Sequence, residues 1–199
     1  DLKGSSIPCA IDTFTVRNPG TAAVDVTLLA AQQNAVGTAW QGEILGRAAK
    51  GYGSNVNRFL RLEIPGAGTS GLSMTAQRKD PMDPAGRGSM ALAAVGSCAS
   101  AHLSWDTPET LAKALEEKGG LPVAEPAATG PSPEGETLDG ALAVTFNLAA
   151  GAERSVPFVL AWHFPDVAWG TQAWGGRGSM YENWYGSALD VASDVAGRL

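Results

Sequence analysis

The sequence predicts an all-β fold, an antiparallel β-sandwich with a short helix near residues 107–118 and a C-terminal helix near residues 181–197. Three observations carry that expectation. Short runs of alternating apolar and polar residues recur along the chain. Turn-forming clusters separate them, drawn from 25 Gly and 12 Pro in 199 residues. The most apolar run, SVPFVLAWHFP at residues 155–165, is short and ends on a proline, as an interior strand would.

Taken in order, residues 7–17 (IPCAIDTFTVR) and 23–29 (AVDVTLL) alternate as strands, and Asn18-Pro19-Gly20 between them predicts a β-hairpin. Val24, Val26 and Leu28 share one face of the second strand, and Asp25 and Thr27 the other. Residues 34–57 are Gly-rich and aperiodic, hence loop. Residues 58–64, 72–77, 89–95 and 99–105 are short strands separated by clusters such as DPMDPAGRG at residues 80–88. Regular short strands of this kind argue for a sandwich or barrel. Thr107-Pro108-Glu109 opens a helix with Thr107 as cap and Leu111, Ala114 and Leu115 as its apolar stripe, and Gly119-Gly120 ends it. Four prolines and no period make residues 122–137 a long irregular connection. Leu142, Val144, Phe146 and Leu148 then alternate as a strand, and residues 155–164 return antiparallel as a second hairpin. A Gly/Trp-rich loop fills residues 166–180, and helical spacing at Trp184, Leu189, Val191, Val195 and Leu199 predicts the terminal helix.

Composition narrows the function classes. Fourteen basic and twenty acidic residues give a net charge of −6, with the basic residues scattered, which argues against a nucleic-acid partner. Cys9 and Cys98 lack any CxxC or Cys/His spacing, so they are read as buried thiols and no metal site is predicted. No run approaches the roughly 20 apolar residues of a membrane span. The N-terminus DLKGSSIPCA shows neither an initiator Met nor a signal peptide, so the chain is read as one domain belonging to a longer protein. The lack of an Asn-x-Ser/Thr sequon favours an intracellular or bacterial setting, and a cytoplasmic location is expected.

The residues at the end of the apolar run carry the candidate site. Pro165 stops ladder pairing and leaves Trp162, His163 and Phe164 at the sheet's end, where loops commonly hold binding groups. Asp166 follows, the only carboxylate near both a His and several Trp residues. Trp162, Trp169 and Trp174 offer aromatic faces on which a sugar ring would stack. The competing reading is packing, either in a sandwich core or against a neighbouring domain. Asp106 and Glu109 sit at the start of the predicted helix and Glu116 and Glu117 on its wet face, so none is read as catalytic. SxxK, GxSxG, HExxH and Walker-type motifs are absent, and no cofactor is implied.

Four segments resemble the N-terminal domain of glycoside hydrolase family 116, the family of the non-lysosomal glucosylceramidase and related bacterial and archaeal β-glucosidases. They are SSIPCAIDTFTVRNPGTAAVDVTLL, GSMALAA followed by Trp105, PSPEGETLDGALAVTFNLAAGAERSVPFVLAWHFP, and the tail YENWYGSALDVASDVA. VPFVLAWHFP and the NPG turn are the most specific. The tail departs from the family's aromatic pattern at Tyr185-Gly186-Ser187-Ala188.

The resemblance implies the later part of a β-sandwich domain, with earlier strands before Asp1 and a six-hairpin α-barrel holding the nucleophile and acid/base beyond Leu199. It implies two-step retaining hydrolysis of a β-glucoside, in which this chain supplies no catalytic residue and at most the substrate rim Trp162, His163, Asp166, Trp169 and Trp174. Two rivals stand beside that expectation. One is a freestanding carbohydrate-binding sandwich, and the other a purely structural docking module.

Overall fold

The computed structural model describes residues 1–37, 46–48, 51–64, 67–77, 86–169 and 172–199. Among them the strands are β1 (Cys9–Arg17), β2 (Val24–Gln33), β3 (Asn55–Ile64), β4 (Ala67–Ala76), β5 (Ser89–Ala94), β6 (Ser100–His102), β7 (Ala127–Ala128), β8 (Asp139–Leu148), β9 (Glu153–His163), β10 (Asp166–Trp169) and β11 (Gln172–Gly178). The helices are α1 (Pro108–Lys118) and α2 (Ala188–Ala196). A six-stranded sheet of order β1-β9-β5-β4-β3-β7 faces a three-stranded sheet of order β2-β8-β6, and β10 and β11 form a separate ribbon. The strand pairs are antiparallel throughout, so the fold is the all-β sandwich the sequence predicts.

Strand β9 organises the larger sheet because both of its faces are apolar. Val156, Phe158, Leu160 and Trp162 project between the sheets, where they meet Leu142, Val144, Phe146 and Leu148 of β8. Val159 and Ala161 project the other way, onto Val191, Ala192 and Val195 of α2. The smaller sheet is covered likewise, with Leu111 of α1 and Leu121 packing on Ala141 and Ala143. Burying one apolar side chain of this size contributes about 1.5–3 kcal/mol, so each helix is held mainly by its few inward residues.

The two predicted hairpins are not hairpins. β1 pairs with β9 in one sheet and β2 with β8 in the other, so the NPG turn and the turn after Leu148 both cross between sheets as stacked arches. Asn18 locks them together. Its buried side-chain amide donates to the carbonyls of Ala22, Leu148 and Ala149 at 2.8, 3.0 and 3.1 Å, and its Oδ1 accepts from the Gly20 N–H at 3.0 Å. The backbone joins in, with Asn18 N–H to Ala152 O and Gly151 N–H to Asn18 O, each 2.9 Å. Alternation shows that a segment is a strand but not which sheet it enters.

Other boundaries shift for local reasons. Part of the 34–57 loop lies outside the described residues, yet β3 begins inside it, at Asn55. The proline-rich connection at 122–137 runs along the β3 edge. There Thr129 and Ser132 N–H groups reach the Asn57 and Asn55 carbonyls at 2.9 Å, and β7 forms briefly against Arg58 and Phe59. The Gly/Trp loop contains the β10–β11 ribbon, with Gly170 and Thr171 outside the described residues. Helix α1 matches its prediction and ends on left-handed Gly119, although the Thr107 side chain makes no capping bond. The terminal helix is shorter than predicted: a 3-10 turn spans Met180–Asn183, and α2 starts only after Ser187, whose hydroxyl caps Asp190 N–H. Cys9 is half-buried as a thiol, but Cys98 is exposed, contrary to the burial expected of it.

The clasp yields a prediction. Asn18→Ala strands three carbonyl acceptors and should cost about 2–3 kcal/mol in urea unfolding. Asn18→Asp, although nearly isosteric, should cost at least as much, because it turns a carboxylate toward those same three carbonyls.

Candidate functional site

The arches define one end of the sandwich, and the chain's long connections gather at the other. β9 ends there at His163, where β5 begins, and β8 begins there at Asp139, where β2 ends. The connections from β2 to β3 and from β4 to β5 leave from this end, as does the β10–β11 ribbon. Scaffold-borne loops at one end of a sandwich are the usual place for recognition. All five sequence-predicted rim residues belong to it.

Trp162 and His163 reach it on opposite faces of β9. Trp162 is half-buried and packs on the inter-sheet core. His163 is buried on the α2 side, its Nε2 2.8 Å from the Tyr185 carbonyl and its ring tilted over Tyr181 at 5.4 Å. Asp166 opens β10 and pairs loosely with Arg87 at 3.9 Å, both side chains being substantially exposed. Trp169 lies opposite Gln172 at the tip of the ribbon and Trp174 on the returning strand. The side chains of Trp169 and Trp174 are outside the described residues.

Tyrosines that the sequence reading passed over hold the end of β9 in place. The Tyr181 hydroxyl donates to Phe164 O at 2.7 Å and accepts from Phe164 N–H at 3.1 Å, so it replaces a neighbouring strand just where Pro165 ends the ladder. Tyr185 donates to Asp194 within α2. Burial and the adjacent Asp194 push its phenol up to about 12. Burial disfavours the charged form of Asp194, but the Tyr185 hydroxyl, Arg198 and Lys3 outweigh it and hold the carboxyl below its ordinary value. Gly88 is required here by space and conformation. Its φ is +155°, and a Cβ would lie 2.2 Å from the His163 carbonyl oxygen. A lone glycine in a Gly-rich segment gave no signal of this.

Across the same end, Arg47 draws together two carboxylates. It ion-pairs with the exposed Asp106 and lies 3.7 Å from buried Asp139, while also donating to the Trp105 and Thr137 carbonyls at 3.2 Å. Burial raises the Asp139 carboxyl above its ordinary value, with Arg47 and Gln33 opposing. Retaining glycosidases need open space for a sugar between their two carboxyls. Here a guanidinium stands between them, which is the arrangement of a staple. Three buried asparagines complete the end. Asn34 donates to Asn57 Oδ1 at 3.0 Å, Asn55 to Asn34 Oδ1 at 3.2 Å and Val36 O at 2.7 Å, and Asn57 to Leu103 O at 2.9 Å.

Two outcomes follow. Gly88→Ala should destabilise the protein by several kcal/mol, about 2–4 by analogy with other strained or overpacked sites, and should expose the Tyr181–Tyr185 segment to proteolysis first. A carboxyl whose folded value is raised binds its proton more tightly when folded, so ionising Asp139 should lower stability as pH rises between its ordinary and its raised value. Asp139→Asn should therefore flatten the fall in urea midpoint that sets in as pH rises above the ordinary aspartate value.

No helix among the described residues is long and apolar enough to cross a membrane. No match to a curated protein was found. A family model described as "beta-glucosidase 2, glycosyl-hydrolase family 116 N-term" matches residues 1–199. With a sandwich of the predicted kind and a match along its whole length, this chain belongs to the N-terminal domain of glycosyl-hydrolase family 116.

Proposed function

We propose that this chain is an accessory, non-catalytic sandwich of a retaining β-glucosidase or glucosylceramidase, supporting and partly walling an active site built by a six-hairpin α-barrel of the same polypeptide. The observation that carries this reading is the concentration of long connections, the β10–β11 ribbon and the rim residues at one end of the sandwich, while the other end is closed by tight, clasped arches. Within it, Asp166, Trp169 and Trp174 are the residues we assign to a sugar-facing rim, since indole faces stack on sugar rings and a carboxylate accepts from their hydroxyls. Trp162, packed on the inter-sheet core, and His163, bonded to the Tyr185 carbonyl, belong to the same rim. Hydrolysis itself belongs to carboxylates of the barrel, since Asp106 and Asp139 are committed to Arg47. A glycosphingolipid substrate and a cytoplasmic setting are the finer parts of the same reading.

The test compares the chain with the whole enzyme. The isolated chain should neither hydrolyse nor measurably bind an aryl β-glucoside. In the polypeptide carrying the barrel, Trp169→Ala and Trp174→Ala should each raise KM about tenfold, with kcat changed far less, as expected for loss of one stacking surface. Glucoside binding by the isolated chain would favour the freestanding carbohydrate-binding module instead. Unchanged KM in both variants would reduce the sandwich to a docking element.

A further inference from the structure

Tyr52 is fully buried, yet its hydroxyl has no hydrogen-bond partner among the described residues. The backbone around it is exacting. Gly51, Gly53 and Ser54 take φ values of +99°, +142° and +56°, conformations that side chains rarely adopt. Residues 46–48 and 51–54 run along residues 132–137. Thr137 N–H reaches Arg47 O at 2.9 Å, Gly135 N–H reaches Tyr52 O at 2.8 Å and Ser54 N–H reaches Ser132 O at 3.0 Å, with Ala48 bridging to Glu136. If only a ring were wanted, phenylalanine would fill the same space without a buried hydroxyl to satisfy. Asp139 has the complementary need. Its carboxylate is buried and lies 3.7 Å from Arg47 Nε, beyond hydrogen-bond length. Burial, and after it the charge of Asp139, pushes the Tyr52 phenol up, so the two side chains are neighbours without being bonded. Trp105 Nε1 is the other buried side-chain polar atom without a partner among the described residues, and the Trp105 backbone N–H bonds to Asp139 O at 3.1 Å. Both unpartnered donors thus belong to residues beside one carboxylate.

We propose that this end of the sandwich binds one internal water molecule, which accepts from the Tyr52 hydroxyl and donates to the Asp139 carboxylate, fastening residues 51–54 to the start of β8. The chemistry of the surrounding groups selects the occupant. Donor groups and the Arg47 guanidinium disfavour a cation, and the Asp139 carboxylate disfavours an anion. A neutral molecule that both accepts and donates satisfies every group, and the burial of Tyr52 and Asp139 admits only a small one. Buried waters make about three hydrogen bonds, which leaves one for the Trp105 indole N–H. The connection from β2 to β3 is then tied to the smaller sheet twice, directly through Arg47 and indirectly through the water. The inference does not depend on the glycosidase reading.

The 199-residue chain itself provides the test. Its crystal structure should show one water within about 2.6–3.2 Å of both Tyr52 Oη and an Asp139 carboxylate oxygen. Tyr52→Phe keeps the ring and removes the hydroxyl. It should raise the equilibrium unfolding constant about two- to tenfold in urea titrations. It should also move the Asp139 carboxyl titration, followed by carbon NMR, up by about half to one pH unit, because the carboxylate loses a donor relayed to it. A Tyr52 that serves packing alone behaves in the opposite way: removing an unpaired hydroxyl lowers the unfolding constant and leaves the Asp139 titration where it was. That result would overturn the proposal. So would a crystal structure in which the Tyr52 hydroxyl bonds Asp139 directly or faces a dry gap.

Discussion

One side-chain amide decides how this chain becomes two sheets. Asn18 stands between two chain reversals, and its hydrogen bonds reach both, so neither can tighten into a hairpin without stranding the other's carbonyls. Buried carbonyls without partners cost more than any single turn preference returns. The strands leaving the reversals are therefore sent in pairs, β1 with β9 into one sheet and β2 with β8 into the other. From β9 the larger sheet runs on through β5, β4, β3 and β7, and from β8 the smaller runs on to β6.

The opposite end solves the same problem with a network. Asn34, Asn55 and Asn57 are fully buried and hold one another as well as the carbonyls of Val36 and Leu103. A buried amide network is stabilising only when it is satisfied throughout, and it then admits little variation in geometry. That rigidity suits an end from which long connections depart. The Arg47 staple and the Tyr181 contact with Phe164 act alike, each fixing backbone where a ladder has stopped. The six-stranded sheet thus presents its far end as a firm platform, and the β10–β11 ribbon springs from it.

Much of this was legible beforehand. β8 and β9 declare themselves through alternation and through a run apolar on both faces, and α1 through Pro108, its stripe and Gly119. What stayed hidden depends on partners distant in sequence. A period of two says that residues 9–17 are extended but cannot say that they lie beside 153–161, since the alternation suits either sheet equally. The terminal helix was overextended because Trp184 continues the helical spacing, whereas Gly186 and the Ser187 cap decide where it begins. At the candidate site, the sequence marks the aromatic residues and the strand end. It gives no hint that His163 would bond to the Tyr185 carbonyl, or that Arg47 would cross to Asp139.

The stacked arches also set a timetable. Thr15 bonds to Ser155 at a sequence separation of 140, so β1 and β2 find their partners only in strands made much later. At ribosomal speeds of about 5–20 residues per second, β1 and β2 wait roughly five to thirty seconds for their partners to be synthesised. Meanwhile the middle strands, β3 to β5, already have one another as sequence neighbours. Assembly is then expected to begin at β3 to β5, with β1 and β2 held unpaired longer and more dependent on chaperone cover.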